Sequence, residues 1–408
     1  MTDPSTILVS VNGPDHPGIS AALMDVLAAG DAEIYDVEQI VVRGRLTLNV
    51  LVGLAAEQAT IRDLLFFGWE EGLDVDFEVV DTTPTPPKRL AIVTVIGLRV
   101  GPDDFGAVAR AIAAGDGNIE RIFRLSRYPV LSYELTISNG DIDLIRAGLV
   151  DAAAERPIDV AIQPEGLERR AKRMVVLDVD STLIQNEVIN LLAAEAGVEE
   201  EVSAITTSAM AGEIDFEESL RERVALLEGL GQEAFDRVFR AITVTPGTRT
   251  FIRTLKRLGM KTAIVSAGFT RFADALAADL GIDYSLSNTL EIEGETLTGG
   301  LDGELVDSAK KAEFLRSIAE KEAIPLNQVV AVGDGANDLD MLAAAGLGIA
   351  FNAKPIVKER ADTTVSVPFL DAILFLMGVR REHVDAADAA DPEFDQPPLL
   401  DVPGTPPV

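Results

Sequence analysis

The sequence predicts an α/β unit with a parallel sheet over residues 174–384, preceded by two smaller α+β units. Three observations predict this. From Met174 onward, short apolar strands alternate with long helical patterns, as in sheets covered by helices on both faces. Before it, the order strand–helix–strand–strand–helix–strand runs twice, the copies lying about 85 residues apart. Between the copies, Asp81–Arg89 reads DTTPTPPKR, with three prolines in nine residues and almost no apolar content, the composition of a linker.

In the first copy (1–82), Ile7–Val11 is a β-rich run, and Gly18–Ala29 carries helical spacing through Ile19, Leu23, Val26 and Leu27. Ile34–Val42 and Leu46–Leu54 read as strands turning at Arg43-Gly44-Arg45, followed by a helix near Gln58–Gly68 and a strand at Val75–Val80. The linker occupies 83–89. In the second copy (90–165), Ala91–Gly97 is a strand, Asp104–Ala114 a helix, and Asn118–Ser126 and Val130–Ser138 are paired strands. Asp141–Ala154 is a helix and Ile158–Gln163 a strand. The first strand–helix junctions echo each other: Asp15-His16-Pro17-Gly18 against Asp103-Asp104-Phe105-Gly106. Each is expected to put a glycine at a helix start, where free N–H groups can meet an anion.

Glu168–Arg173 (ERRAKR) is a short basic connection to the α/β unit. Within that unit, 184–245 shows helical spacing (Val188, Leu191, Leu192; Leu220, Val224, Leu227) and is expected to form a small helical cap. Beyond Arg381 there is no Lys or Arg but seven acidic residues and six prolines. Residues 385–408 are therefore expected to be a disordered acidic tail.

Composition narrows the function. The net charge of −32 argues against a nucleic-acid partner, which needs a basic footprint. With no cysteine, thiolate catalysis and zinc–sulfur sites are excluded. The longest apolar runs, such as Leu90–Leu98, are too short to cross a bilayer. No basic-then-apolar leader opens the sequence, so a cytoplasmic enzyme with no membrane partner is expected.

The chemistry-bearing residues sit at strand ends. Val175-Val176-Leu177 runs into Asp178-Val179-Asp180-Ser181-Thr182, at the carboxyl end of a buried strand, where open α/β sheets bind ligands. One Asp can attack phosphorus and a second can protonate the leaving alcohol. The same DxD also occurs in ordinary turns. Lys261–Val265 ends in Ser266-Ala267-Gly268-Phe269; a hydroxyl and free N–H groups there can hold phosphate oxygens, and an N-cap serine reads the same way. Val329–Val332 ends in Gly333-Asp334-Gly335-Ala336-Asn337-Asp338, whose oxygens suit a hard cation or a plain turn. Lys310-Lys311 opens a helix, where the dipole disfavours cations; such a pair serves a phosphate or is solvated.

DxDST, SxGF, a lysine and GDGAND, in that order, resemble the haloacid-dehalogenase superfamily, and over roughly 174–380 the phosphoserine phosphatase family within it. The resemblance implies a Rossmann-like core, Asp178 as nucleophile and Asp180 as general acid/base. It implies Mg2+ held by Asp178, the backbone carbonyl of Asp180, and Asp334. Ser266, Lys311 and Asn337 would meet the phosphoryl group, with Ala267 and Gly268 in its loop and Asp338 supporting the lysine. Helix register in the family pattern selects Lys311 over Lys310. In the cap, the matching positions are Glu187, Met210, Phe216 and Arg223. A Glu pairs with an ammonium and an Arg grips a carboxylate, which suits the zwitterion of phosphoserine. Two positions depart from the pattern: Val179 stands where Phe is usual, and Ala267 where Gly is commoner.

The front copies resemble ACT domains of ferredoxin-like fold. That resemblance implies a serine effector near Asp15, Gly18 or Gly106, regulation of the last step of serine biosynthesis, and a homodimer. The competing readings are a phosphatase or phosphotransferase acting on another small phosphomonoester, and an amino-acid-sensing protein with an inactive phosphatase domain.

Overall fold

The structure is a computed structural model that describes residues 5–54, 57–80, 88–211 and 213–391. The chain divides into two compact units, Met1–Pro87 and Lys88–Val408. The expected linker at 83–89 falls mostly outside the described residues, which resume at Lys88.

The first unit runs β1 (Ser5–Pro14), α1 (Ile19–Ala29), β2 (Glu33–Val42), β3 (Arg45–Leu54), α2 (Glu57–Glu71), β4 (Asp74–Val79). Its sheet is antiparallel in the order β2-β3-β1-β4. The period-two pattern of β3 buries Leu46, Leu48, Val50 and Val52, and Ile19, Leu23 and Leu27 of α1 join the same core. Gly18 caps α1 at φ 107°, a left-handed conformation that only glycine takes without strain.

The second unit begins with β5 (Leu90–Gly97), α3 (Pro102–Ala114), β6 (Asn118–Ser126), β7 (Leu131–Ser138), α4 (Ile142–Ala154) and β8 (Asp159–Pro164), a sheet ordered β6-β7-β5-β8. One expectation is corrected here. The helix starts at Pro102, not Asp104, because Gly101 is its cap and donates its N–H to Asp104 Oδ2 at 2.8 Å. Gly106 therefore lies inside α3, where its N–H is not free for an anion. This sheet also shares a core with the following α/β part: Ile96, Leu125, Val130 and Ala161 belong to the same apolar cluster as Val175 and Leu177. Asp159 accepts from the Ser366 N–H at 2.6 Å, and Gln163 donates to the Leu376 carbonyl at 3.0 Å.

After α5 (Leu167–Arg170), β9 (Met174–Leu177) leads into the cap, α6 (Val188–Ala196), α7 (Glu199–Ala211), α8 (Phe216–Ala225) and α9 (Gln232–Ala241). An antiparallel bridge between Ile184 and Val244 closes this insertion at its base. The core resumes with α10 (Thr248–Arg257), β10 (Lys261–Phe269), α11 (Thr270–Leu280), β11 (Tyr284–Glu293), β12 (Thr296–Asp302) and α12 (Ser308–Lys321). It ends with β13 (Val329–Gly333), α13 (Leu339–Ala344), β14 (Leu347–Phe351), α14 (Pro355–Lys358), β15 (Thr363–Val365), α15 (Ile373–Leu376) and α16 (Arg381–Ala389). The sheet order is β12-β11-β10-β9-β13-β14-β15.

Two further corrections follow. The sheet is parallel except at one edge, where β11 and β12 pair antiparallel across the two-residue turn Gly294-Glu295, with Gly294 at φ 65°. The tail expected from 385 does not begin there. Helix α16 continues to Ala389, buries Val384, and is clasped by Asp388, which accepts from both Arg253 and Arg257. His383 thus lies in folded structure, within α16. Residues 392–408 lie outside the described residues.

Candidate active site

Register builds the site. Leu177 of β9 stands opposite Ile264 of β10 and Val332 of β13. The residues that follow, Asp178, Ser266 and Asp334, therefore emerge at neighbouring strand ends, as in other parallel sheets whose carboxyl edge binds ligands.

Asp178 is 4% exposed. Its Oδ1 accepts from the Val179 N–H at 2.8 Å and from Lys311 Nζ at 2.8 Å. Among the described residues no donor reaches Oδ2, which is left for chemistry. Lys311 is 0% exposed and also donates to Asp338 Oδ1 at 2.7 Å. Burial alone would lower its pKa, but the Asp178 and Asp338 carboxylates hold it above the ordinary lysine value. Lys310 instead pairs with Glu304 and Glu313 at the surface. Burial and the Asp338 charge push Asp178 well above the usual carboxylate range, against the pull of Lys311.

Beyond Asp178 the chain winds through a single turn, closed by the Ile184 N–H on the Val179 carbonyl. Asp180 is extended there and Ser181 left-handed at φ 57°. Asp180 Oδ1 accepts from the Val188 N–H at 2.7 Å, tying it to the first cap helix, and Oδ2 accepts from Ser266 Oγ at 2.9 Å. Burial, then the Glu187 charge, raises its pKa to about 6. Ser266 is not a helix cap, since α11 starts four residues later. Its Oγ accepts from the Gly268 N–H at 2.7 Å. A Cβ on Gly268 would stand 2.7 Å from Asp180 Oδ2, so the close approach of this loop requires glycine.

Asp178, Asp334 and Asp338 each offer an oxygen within 4.8 Å of the others. Asp338 is already committed: Oδ1 to Lys311, Oδ2 to the N–H groups of Asp334 and Gly335 at 3.1 and 3.0 Å. That leaves Asp178 and Asp334 as the carboxylates with capacity for a cation. Asp334 takes one hydrogen bond from Thr182 Oγ1 at 3.3 Å. Burial and its acidic neighbours Asp338 and Glu187 raise it to about 7, the signature of a carboxylate pair short of positive charge.

A cavity of about 600 Å³ opens above these groups. Glu187, Phe216 and Arg223 line it from the cap, and Ala267, Gly268 and Asn337 from the core. Glu187 accepts from Ser181 Oγ at 2.8 Å, and Arg223 Nε donates to the Ser219 carbonyl at 3.1 Å. Burial lowers the pKa of Arg223, opposed by the Glu187 charge. The Met210 side chain lies outside the described residues.

Family models match residues 172–346 as a haloacid dehalogenase-like hydrolase, and 5–78 and 91–163 as ACT domains. The chain is 49% identical to the phosphoserine phosphatase of Streptomyces coelicolor, over 97% of this chain and 98% of that one. It is 47% identical to phosphoserine phosphatase SerB2 of Mycobacterium tuberculosis, over 95% and 96%. The crystal structure of a probable phosphoserine phosphatase from Vibrio cholerae is similar at TM-score 0.57 and 35% identity, covering 72% of this chain and 88% of that one. A HAD-family hydrolase from Salmonella enterica gives TM-score 0.63 at 29% identity, over 71% and 98%.

The chain belongs to the phosphoserine phosphatase family. It is an enzyme of the phosphoric monoester hydrolase class, and the family is metal-dependent. No helix among the described residues is long and apolar enough to cross a membrane.

Of the sequence-predicted residues, the fold brings Asp178, Asp180, Ser266, Lys311, Asp334 and Asp338 together and sets Glu187, Phe216, Arg223, Ala267, Gly268 and Asn337 around one cavity. Asp15 and Gly18 lie in the first unit, where His16 pairs with Glu71 at 3.3 Å. Sequence reasoning missed Thr182 and Asn288. The Asn288 amide donates to the Ala267 carbonyl at 2.7 Å and its oxygen accepts from the Val306 N–H at 2.8 Å, so it pins the SAGF loop. Its strand, Tyr284–Glu293, is rich in polar residues, so Asn288 carried no local signal; only its burial in the fold demands that both ends of the amide be paired. Lys354 also escaped notice; it lines the cavity and lowers the pKa of Asp334.

Proposed function

We propose that the chain hydrolyses O-phospho-L-serine to L-serine and phosphate through an aspartyl phosphate. The observation that carries this reading is one cavity with a lysine-paired carboxylate at its floor and Glu187 and Arg223 on its cap side. Phosphate, ammonium and carboxylate each then have a complementary wall.

In the first step Asp178 Oδ2 attacks phosphorus, the P–O bond to serine breaks, and the seryl oxygen takes a proton from Asp180. A carboxyl with a pKa of about 6 holds a proton far more readily near neutrality than an ordinary Asp. In the second step Asp180 takes a proton from water, water oxygen bonds to phosphorus, and the bond to Asp178 breaks. Lys311 stays on Oδ1 and offsets the nucleophile's charge, while Ser266 and Asn337 orient the phosphoryl oxygens. Mg2+ would be held by Asp178, Asp334 and the Asp180 carbonyl, and would supply the positive charge that lets a dianion approach carboxylates. The like charges on Asp178 and Asp334 fit this ion.

The same reading includes a cytoplasmic homodimer in which serine binds at the ACT units near Asp15 and Gly18 and regulates turnover. Calorimetry with serine on the full chain tests that part; no detectable heat counts against it. For the activity itself, a panel of phosphoserine, phosphothreonine and sugar phosphates with Mg2+ decides. Phosphoserine should have the highest kcat/KM, and a better sugar phosphate would overturn the cap assignment.

A further inference from the structure

Most polar groups around the cavity are already spoken for, and one buried group is not. Thr206, also in the lining, donates to the Val202 carbonyl at 2.9 Å. Ser219, on α8, is 1% exposed and lines the cavity, yet its Oγ has no hydrogen-bond partner among the described residues. A buried helical serine ordinarily donates to the carbonyl one turn back. Here that carbonyl, on Asp215, accepts the Ser219 N–H at 3.0 Å, and the hydroxyl does not join it. A buried hydroxyl without a partner is unfavourable, and a bound ligand is what would supply one at a cavity wall.

The neighbourhood says which part of the ligand. The Ser219 carbonyl accepts from Arg223 Nε at 3.1 Å, which fixes the guanidinium on the same helix face one turn along. Among the described residues no acceptor meets Nη1 or Nη2, so this edge of the guanidinium is left for an external anion. Ser219 and Arg223 thus stand one turn apart on one helix, and both line the cavity. Glu187, the acidic residue of the cap side, is engaged by Ser181 and would repel a carboxylate.

We infer that the Ser219 hydroxyl is a specificity residue that donates, beside Arg223, to the carboxylate of the substrate. The inference rests on the phosphoserine reading and deepens it. Ser219 plays a double part: its backbone carbonyl aims the arginine, and its side chain completes the carboxylate site.

The test is Ser219→Ala in the full chain with Mg2+, comparing phosphoserine with O-phosphoethanolamine, which keeps the phosphate and ammonium but lacks the carboxylate. The alanine retains the backbone carbonyl on Arg223. Loss of one hydrogen bond to a charged group should raise KM for phosphoserine roughly tenfold, with kcat changed less than about threefold. Turnover of phosphoethanolamine should be unchanged, so the preference between the two falls by roughly the same tenfold factor. Equal losses on both substrates would mean a structural role, and unchanged preference would mean no role; either overturns the inference while leaving the substrate reading intact. A wild-type enzyme that does not prefer phosphoserine at all would sink both.

Discussion

Replacing Lys311 with methionine removes a charge while keeping nearly the same length of side chain. The ammonium sits between two carboxylates, 2.8 Å from Asp178 and 2.7 Å from Asp338, and is 0% exposed. Without it, two buried like charges face each other. Breaking a buried pair in this way costs about 3–5 kcal/mol, which for a domain of this size lowers Tm by roughly 6–20 °C. The deficit should depend on pH with a definite sign. Burial and mutual repulsion already raise Asp178, and losing Lys311 raises it further. A carboxyl whose folded pKa exceeds its unfolded value binds more protons when folded, so stability falls as pH rises through that window. The variant should therefore trail the wild type more at pH 8 than at pH 5. Thermal melts at both pH values measure this, and adding Asp338→Asn to the variant should restore part of the loss. A variant melting within about 2 °C of wild type at pH 8, a small fraction of the expected shift, would refute the account. So would a deficit indifferent to pH.

Other outcomes follow from the same geometry. Asp178→Asn should abolish turnover and acid-stable phosphoenzyme alike; substantial remaining activity would remove Asp178 from the nucleophile's role. Glu187→Gln takes away a charge that raises Asp180, so the alkaline limb of the pH–rate profile should move to lower pH while KM for phosphoserine rises; a limb that stays put would separate the two residues. Gly268→Ala should cost about 1–3 kcal/mol of overpacking against Asp180 and lower kcat with the far-UV spectrum unchanged. Metal-free protein should lose stability as pH rises from about 4 to 7, because Asp180 and Asp334 have folded pKa values of about 6 and 7. The gain in Tm on adding Mg2+ should accordingly be larger at pH 8 than at pH 5.5, and differential scanning fluorimetry reads it directly.

Much of this protein is written locally. Strand periodicity and the βαβ alternation give the element order, since side chains must alternate in a strand and repeat every turn in a helix. The motifs that follow Leu177, Val265 and Val332 mark the site because a parallel sheet brings such ends together. The β11–β12 hairpin left a signal that the parallel-sheet reading passed over: Thr-Leu-Glu-Ile-Glu, then Gly294-Glu295, then Thr-Leu-Thr, is a period-two pattern around a glycine turn. β5 is apolar apart from Thr94, and the structure buries it from Ala91 to Gly97, as two-sided cover demands.

The sequence by itself determined which residues could do chemistry: two carboxylates in DxD, a serine, a lysine pair and an acidic turn, each poised at an element boundary. Tertiary structure decided among them. Lys310 and Lys311 are adjacent in sequence, and only packing puts one at the surface with Glu304 and the other in the core against Asp178 and Asp338. Glu187 and Arg223 were assigned to the substrate by resemblance alone, and it is the folded cap that turns both toward the cavity lined by Asp178. Asp388 looked like the start of an acidic tail, and it is anchored by arginines more than 130 residues earlier in the chain. The reason is common to all three. Propensity and periodicity act over a few residues, whereas the partner that neutralises a charge is chosen by whatever the fold brings within about 3 Å of it.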